Sequence, residues 1–302
     1  MDQCLHLGNV SIRAWIPTNL PLFLYRRTRE HTLDSSTLVI TMLIGAAGGF
    51  LGGLFGIGGG TVIIPLLTMA QGSNPHLYEA ASFVISAVVS MGSIPRHIRA
   101  HAIQWTFAFR SLPFSLATVG GGIALGLALP NPVWLERIFA VFLAYVAGAE
   151  VIRRLRRHRS PGNRSPQNPR TSWPCAGIIG TAMGTLSGLL GIGGGMIAVP
   201  LMHAVNRFNI RAAIATSAFL VLPTVIVGAI VKYATLEYAT TPEGAAIPFA
   251  SAIWLALALA PGAFIGANLG SMLVHKVPMK HLSIGFAVLC ALLAIRMAGF
   301  GS

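Results

Sequence analysis

From Leu38 onward the chain alternates between long apolar stretches and short polar interruptions. The apolar stretches fall at about 38–71, 78–95, 105–128, 133–152, 174–203, 212–232, 249–275 and 281–299. Most approach the roughly 20 residues that a helix needs to cross a bilayer's hydrocarbon core, and few charges interrupt them. The pattern predicts an all-α integral membrane protein with about eight transmembrane segments. Two stretches, 38–71 and 174–203, are too long for one straight crossing. Each holds a glycine cluster, and each is expected to break inside the membrane.

Two polar regions frame these stretches. Residues 1–36, with Arg13, Arg26, Arg27 and Arg29, read as a cytoplasmic tail. Its short apolar piece Leu20–Tyr25 is too brief for a signal-peptide core. Residues 153–173 read RRLRRHRSPGNRSPQNPRTSW, an arginine- and proline-rich cytoplasmic linker. It separates a first membrane repeat, 37–152, from a second, 174–302.

The division into repeats rests on an ungapped internal match. Ile44–Leu66 reads IGAAGGFLGGLFGIGGGTVIIPL and Ile179–Leu201 reads IGTAMGTLSGLLGIGGGMIAVPL, with an ungapped offset. Gly45, Gly49, Gly53, Gly56, Gly58, Gly59, Gly60 and Pro65 align with Gly180, Gly184, Gly188, Gly191, Gly193, Gly194, Gly195 and Pro200. Ser82 falls on Ser217 at the same offset, and Pro113 and Gly122 recur at wider offset as Pro261 and Gly270. Duplicated halves are common among secondary transporters.

Composition fits this picture. Only 10% of residues are charged, against about 25% in soluble domains, and the mean hydropathy is +0.70. A soluble globular protein and a disordered chain are both excluded. The 21 Lys and Arg outnumber the 8 Asp and Glu. In a soluble chain that excess would suggest nucleic acid; here it reports orientation, because basic residues gather in cytoplasmic loops. With eight single crossings and the tail inside, Arg96, Arg99, the linker arginines, Lys232 and Arg296 also fall inside. Arg137, Arg207, Arg211, Lys276 and Lys280 fall outside. That puts both termini in the cytoplasm of a multi-pass protein of the cell membrane. The scheme fails if the glycine-broken segments turn back instead of crossing.

Three readings compete for the G-I-G-G-G clusters. A dinucleotide loop needs a sixth-position glycine, where this chain has Thr61 and Met196, and no Walker lysine follows. A packing role suits the four-residue spacing of Gly45, Gly49 and Gly53 and of Gly180, Gly184 and Gly188, which lets another helix approach closely. A substrate site suits the consecutive glycines, which unwind readily and leave amides free. New half-helices would begin near Thr61 and Met196, and two such N-termini could face one anion. Pro65 and Pro200, in the first turns, lack an amide where it is least needed.

The doubled motif, carried by Gly49, Gly53, Gly56 to Gly60 and Pro65 and by Gly184, Gly188, Gly191 to Gly195 and Pro200, resembles the sulfite exporter TauE/SafE family of membrane permeases. The stretch Pro261-Gly-Ala-Phe-Ile-Gly-Ala-Asn-Leu-Gly270 resembles that family's second-half helix. The resemblance covers roughly residues 38–300 and implies a transporter of sulfite, sulfonates or related small organic anions. The chain departs from its own repeat at Met183 and Ser187, which stand where the first copy has Gly48 and Gly52.

Around this core, further groups are candidates. Hydroxyls of Ser82, Ser86, Thr216 and Ser217 could donate to an oxyanion or bond their own helix backbone. Arg110 could bind the anion or snorkel to the interface. Asn268, inside an apolar segment, needs a helix or a substrate as partner. Glu79 and Glu150 could carry a coupling proton, although segment ends favour simple solvation. His97, His101 and His275 are expected to be solvated. The far-apart Cys4, Cys175 and Cys290 give no disulfide framework or zinc spacing.

The expected function is therefore a secondary transporter moving a small anion by alternating access, with a passive anion channel built on the same helix ends as the alternative. The substrate-binding set is Gly56, Gly58, Gly59, Gly60, Thr61, Gly191, Gly193, Gly194, Gly195, Met196, Ser82, Ser217, Asn268 and Arg110. Pro65, Pro200, Gly49, Gly53, Gly184 and Gly188 are structural. No catalytic triad, metal site or cofactor motif is legible, so no enzyme is expected. The partners expected are the anion, the bilayer and a coupling proton or ion, without nucleic acid; homo-oligomers are compatible with this reading.

Overall fold

The computed structural model describes residues 35–159 and 171–273, apart from 132, 207 and 242–243, and a few positions between 288 and 295. The tail and the centre of the linker lie outside the described residues, as do Cys4, Cys290 and His275. The chain divides into two units, 1–39 and 40–302; the first helix begins in the first unit, and the contacts described below lie within the second.

The described residues form helices, with one isolated bridge between Thr240 and Ala246. In order they are α1 (Ser35–Phe55), α2 (Gly60–Gln71), α3 (Pro75–Arg99), α4 (Trp105–Leu127), α5 (Val133–Arg159), α6 (Trp173–Leu190), α7 (Gly195–Ala204), α8 (Ile210–Ala234), a 3-10 turn (Leu236–Tyr238) and α9 (Phe249–Leu273). Five of them are long and apolar enough to span a membrane: α1, α3, α6, α8 and α9. Local chemistry sets several starts. Pro75 opens α3, Pro174 sits in the first turn of α6, and the Asn209 side chain accepts the Ala212 amide at the head of α8. Val141, Ile178, Ile230, Trp254 and Leu257 point outward and stay more than half exposed. A surface that apolar suits lipid rather than water.

Two glycine-lined contacts organise the bundle. A Cβ placed on Gly45, Gly49 or Gly53 of α1 would overlap the carbonyl of Leu259, Ala263 or Ala267 of α9 in turn. Gly262, Gly266 and Gly270 return the contact against Met42, Ala46 and Phe50. The second contact has the same form. Gly180, Gly184 and Gly188 of α6 lie on the carbonyls of Ser111, Ser115 and Val119 of α4, and Gly122 of α4 lies on Thr185. Because lipid offers no hydrophobic gain for joining helices, such close backbone approach supplies the dispersion contacts that hold them. The order of the contacts makes α1 parallel to α9, and α6 parallel to α4.

The central pair, α3 and α8, runs antiparallel. Glu79 meets Lys232 at one end, Phe83 packs on Gly228, and Ser86 and Val221 both reach the glycines between them. Arg96 bonds Ser271, so α3 follows α9, and the Gln104 amide bonds Thr216, so α4 follows α8.

The glycine-broken segments turn back. Gln71 Nε2 donates to Thr41 Oγ1 at 3.2 Å, and Ile63 packs on Gly48. In one straight rod residues 41 and 71 would be about 45 Å apart. This corrects the straight-crossing scheme. Thr41, near the head of α1, lies at the level of the α3 start and so opposite Arg96 and Arg99, whereas the scheme put the N-terminal side of α1 and those arginines together. Two further charges move as well. Lys232 lies at the level of the α3 start, while Arg211 lies with Gln104 and Arg99 at the opposite face. The sequence scheme had each on the other side.

Candidate functional site

Both turn-backs are built from left-handed glycines. Gly56, Gly58 and Gly59 have φ of 65, 83 and 84°, and Gly191, Gly193 and Gly194 have 65, 76 and 71°. A side chain at these angles costs roughly 1–2 kcal/mol, and the positions are also crowded. A Cβ on Gly59 would press on the Gly48 carbonyl, and one on Gly194 on that of Met183. The half-helices start at Gly60 and Gly195. Gly59 O accepts from Val62 and Ile63, and Gly194 O from Ile197 and Ala198. The amides of Gly60, Thr61, Gly195 and Met196 precede these bonds and have no intrahelical acceptor. All four residues are buried. Pro65 and Pro200 sit one turn further on, inside α2 and α7.

The two turns touch, and serines cross-tie them. Ser82 Oγ donates to the Gly191 carbonyl at 2.7 Å, and Ser217 Oγ to the Gly56 carbonyl at 3.0 Å. Each hydroxyl binds the turn of the opposite half, a third option beside the oxyanion and the parent helix. Between the turns, Ser86 and Val221 both contact Gly58 and Gly193. The Ser86 hydroxyl and the Thr61 hydroxyl are buried without a hydrogen-bond partner. Ser187 on α6, Ser111 on α4 and Tyr233 on α8 also carry buried hydroxyls without a partner, so five are found among the described residues. Buried hydroxyls normally find a partner; those of Ser86 and Thr61 lie beside the four amides that have no intrahelical acceptor. The turn region carries partial positive charge with no formal charge.

Other predicted residues lie elsewhere. Arg110 donates to the Thr171 carbonyl and covers the Trp173 ring. It is level with Gly180, eleven residues before Gly191, or about 16 Å along the helix. Asn268 donates to Phe264 of its own helix and lies beside Gly92. Thr216 accepts the Gln104 amide.

Two sequence expectations are overturned. Glu79 is not solvated: it is 3% exposed, and its Oε2 lies 2.5 Å from Lys232 Nζ, itself 1% exposed. His76, 4% exposed, completes the group, with Nδ1 3.0 Å from Nζ and 3.3 Å from Oε2. The acid sits in the second turn of α3 and the cation in the last turn of α8, where the helix dipole favours the cation. His97 is likewise buried, at 1%. The misplacement of Glu79 follows from judging it by sequence distance to a segment end; the Gly191 turn, against its stem, and Lys232 at the end of α8 cover it. His76, three residues before Glu79 on one helix face, was the available sequence signal. Nothing local pairs residue 79 with 232. The side chain of Glu150 lies outside the described residues, and among those residues no cluster of metal ligands occurs.

Comparison with other proteins places this architecture. A chain from Haemophilus influenzae called "Probable membrane transporter protein" is 28% identical, covering 86% of this chain and 97% of its own length. One from Methanocaldococcus jannaschii, also called a probable membrane transporter protein, is 26% identical over 86% of this chain and 95% of its own. "Probable membrane transporter protein MamO" of Magnetospirillum gryphiswaldense is 26% identical over 84% of this chain. The chain spans 44% of MamO, less than half its length. No solved structure matches. The family model described as sulfite exporter TauE/SafE matches residues 41–297. The chain thus belongs to the sulfite exporter TauE/SafE family, a family of multi-pass membrane transporters and not of enzymes.

Proposed function

We propose that the protein is a secondary transporter that carries a small anion past the paired glycine turns. Sulfite, a sulfonate or a related organic anion is the substrate class, in keeping with the family's name. The observation that carries this reading is the concentration of donors there: the amides of Gly60, Thr61, Gly195 and Met196, which have no intrahelical acceptor, and the buried, unpartnered hydroxyls of Ser86 and Thr61. Neutral donors fit a carrier, because they bind an anion without a fixed charge that would trap it. The two halves act as inverted repeats about the α3–α8 crossing, where Ser86 and Val221 occupy matching places. Rocking one half against the other would open the turns to each side in alternation.

The face bearing Arg96, Arg99, Arg110 and Arg211, where the arginine-rich linker ends at Thr171, is the cytoplasmic one. Arg137, the buried Lys232 and the head of α1 at Thr41 lie toward the other face, which is not the side the sequence scheme gave the N-terminal end of α1.

The test is uptake of labelled sulfite, sulfonates and carboxylates by liposomes containing the purified protein. The reading expects saturable uptake of at least one anion above empty vesicles. No flux of any anion rejects it, and flux that never saturates turns the carrier into a channel.

A further inference from the structure

We propose that His76, Glu79 and Lys232 form a proton-binding site that couples anion movement to a proton gradient, a proposal that rests on the transporter reading above. An ammonium has only donors. Lys232 Nζ therefore donates to His76 Nδ1 at 3.0 Å as well as to Glu79 Oε2 at 2.5 Å. In this arrangement Nδ1 accepts and the ring carries its hydrogen on Nε2. The same Nδ1 lies 3.3 Å from Glu79 Oε2, already placed to donate there if it gains a proton.

One added proton thus changes the whole cluster. Nδ1–H turns from Lys232 to Glu79, and Lys232 loses an acceptor and gains a cationic neighbour. The buried group goes from no net charge to one positive charge, with a single carboxylate between two cations. Separating or rearranging charges is costly at such burial, so the tie between α3 and α8 weakens. An arriving monovalent anion restores neutrality, which makes one proton and one anion the natural pair to move together.

The cluster also touches the proposed path. The Glu79 stem, from Cα to Cγ, packs against Gly191, and Ser82, one helical turn later, holds the Gly191 carbonyl. At the other turn the place of Glu79 is taken by Ile214, which lies against Gly56. A proton therefore acts on the second turn alone.

Few other ionisable groups face the site. On α3, the Tyr78 hydroxyl donates to the Gly72 carbonyl. On α5, Glu136 accepts from Ser73. Tyr233 follows Lys232 on α8, and Glu237 lies in the 3-10 turn beyond it. Helices α1, α2, α6 and α9 contain no charged side chain, and His203 of α7 bonds the Phe208 carbonyl at the opposite face.

The experiment uses the full chain in liposomes with a trapped pH dye, and sulfite and an alkanesulfonate as probes. The sulfonate matters because it does not itself carry a titrating proton. One-to-one coupling predicts proton entry with the anion, and about tenfold accumulation for one pH unit acid outside. In the paired variant Glu79→Gln with Lys232→Met, which strands no charge, the ratio of accumulation with and without the gradient falls to about one. Using the ratio removes any change in absolute rate. Histidine nitrogen NMR on the wild-type chain gives a readout free of transport: His76 passes from the Nε2–H form to the doubly protonated ring as pH falls, and Glu79→Gln shifts that change. Anion flux without proton movement, an unchanged ratio in the paired variant, or a His76 ring that never gains a proton while the protein is folded would each overturn the proposal. Absence of any anion flux with intact His76 protonation would instead reject the transporter reading and leave the proton site standing.

Discussion

The turns at Gly56–Gly60 and Gly191–Gly195 share a backbone and differ in chemistry. Their left-handed dihedrals agree closely, each is crossed by a serine from the other half, and each half-helix starts at the last glycine. Around the first turn stand Thr61 and Ile214; around the second, at the matching places, stand Met196 and Glu79. Ser86 and Val221 divide the crossing between a hydroxyl and an isopropyl group. The duplicated part is the part that backbone geometry demands. The unequal part is the part that a substrate or proton would feel.

The largest effects should come from breaking what the halves share. Valine at Gly49 or Gly184 would drive a branched side chain into the carbonyl of Ala263 or Ser115, which no rotamer avoids. Each substitution should cost about 3 kcal/mol, the upper end of ordinary overpacking, and lose monodisperse protein on gel filtration. The contrast lies within one run: Gly120 and Gly121 face open space while Gly122 meets Thr185. Alanine at Gly120 or Gly121 should therefore leave the melting temperature almost unchanged, whereas at Gly122 it should lower it.

Next come the cross-ties. Ser82→Ala and Ser217→Ala each leave a buried glycine carbonyl without its donor, at about 1–3 kcal/mol apiece. Similar losses in chemical denaturation would support equivalent roles, and a strongly unequal pair would break the comparison. The smallest effect sharpens it. Ser86→Ala removes a hydroxyl that has no partner in the protein, so stability should hold while the KM for the anion rises roughly fivefold, one hydrogen bond's worth. Val221→Ala should do the reverse, lowering stability with little change in KM.

The sequence shows much of this because its signals are local. The spacing of Gly45, Gly49 and Gly53 marked a contact face, and the run Gly58–Gly60 marked a break with a half-helix after it. Their partners were less legible. Leu259, Ala263 and Ala267 contribute carbonyls, which every residue has, so no side-chain pattern points to them. The turn-back was hidden too, since apolar residues run through 38–71 without a polar interruption to mark a return. The Glu79–Lys232 pair joins positions 153 residues apart. Hydropathy placed each at a segment end, where solvation is the ordinary outcome, and only the antiparallel crossing of α3 and α8 buries them together.

The central claim is that the left-handed glycine turns are the anion's path and more than a packing device. Leucine at Gly59 or Gly194 tests it directly, because both positions need positive φ and abut a carbonyl. The measurement is labelled-anion uptake in liposomes containing each variant, prepared from protein that inserts and elutes as the wild type does. The account predicts that neither variant carries the anion above empty vesicles. Wild-type uptake by both would contradict it, leaving the fold intact and the site elsewhere.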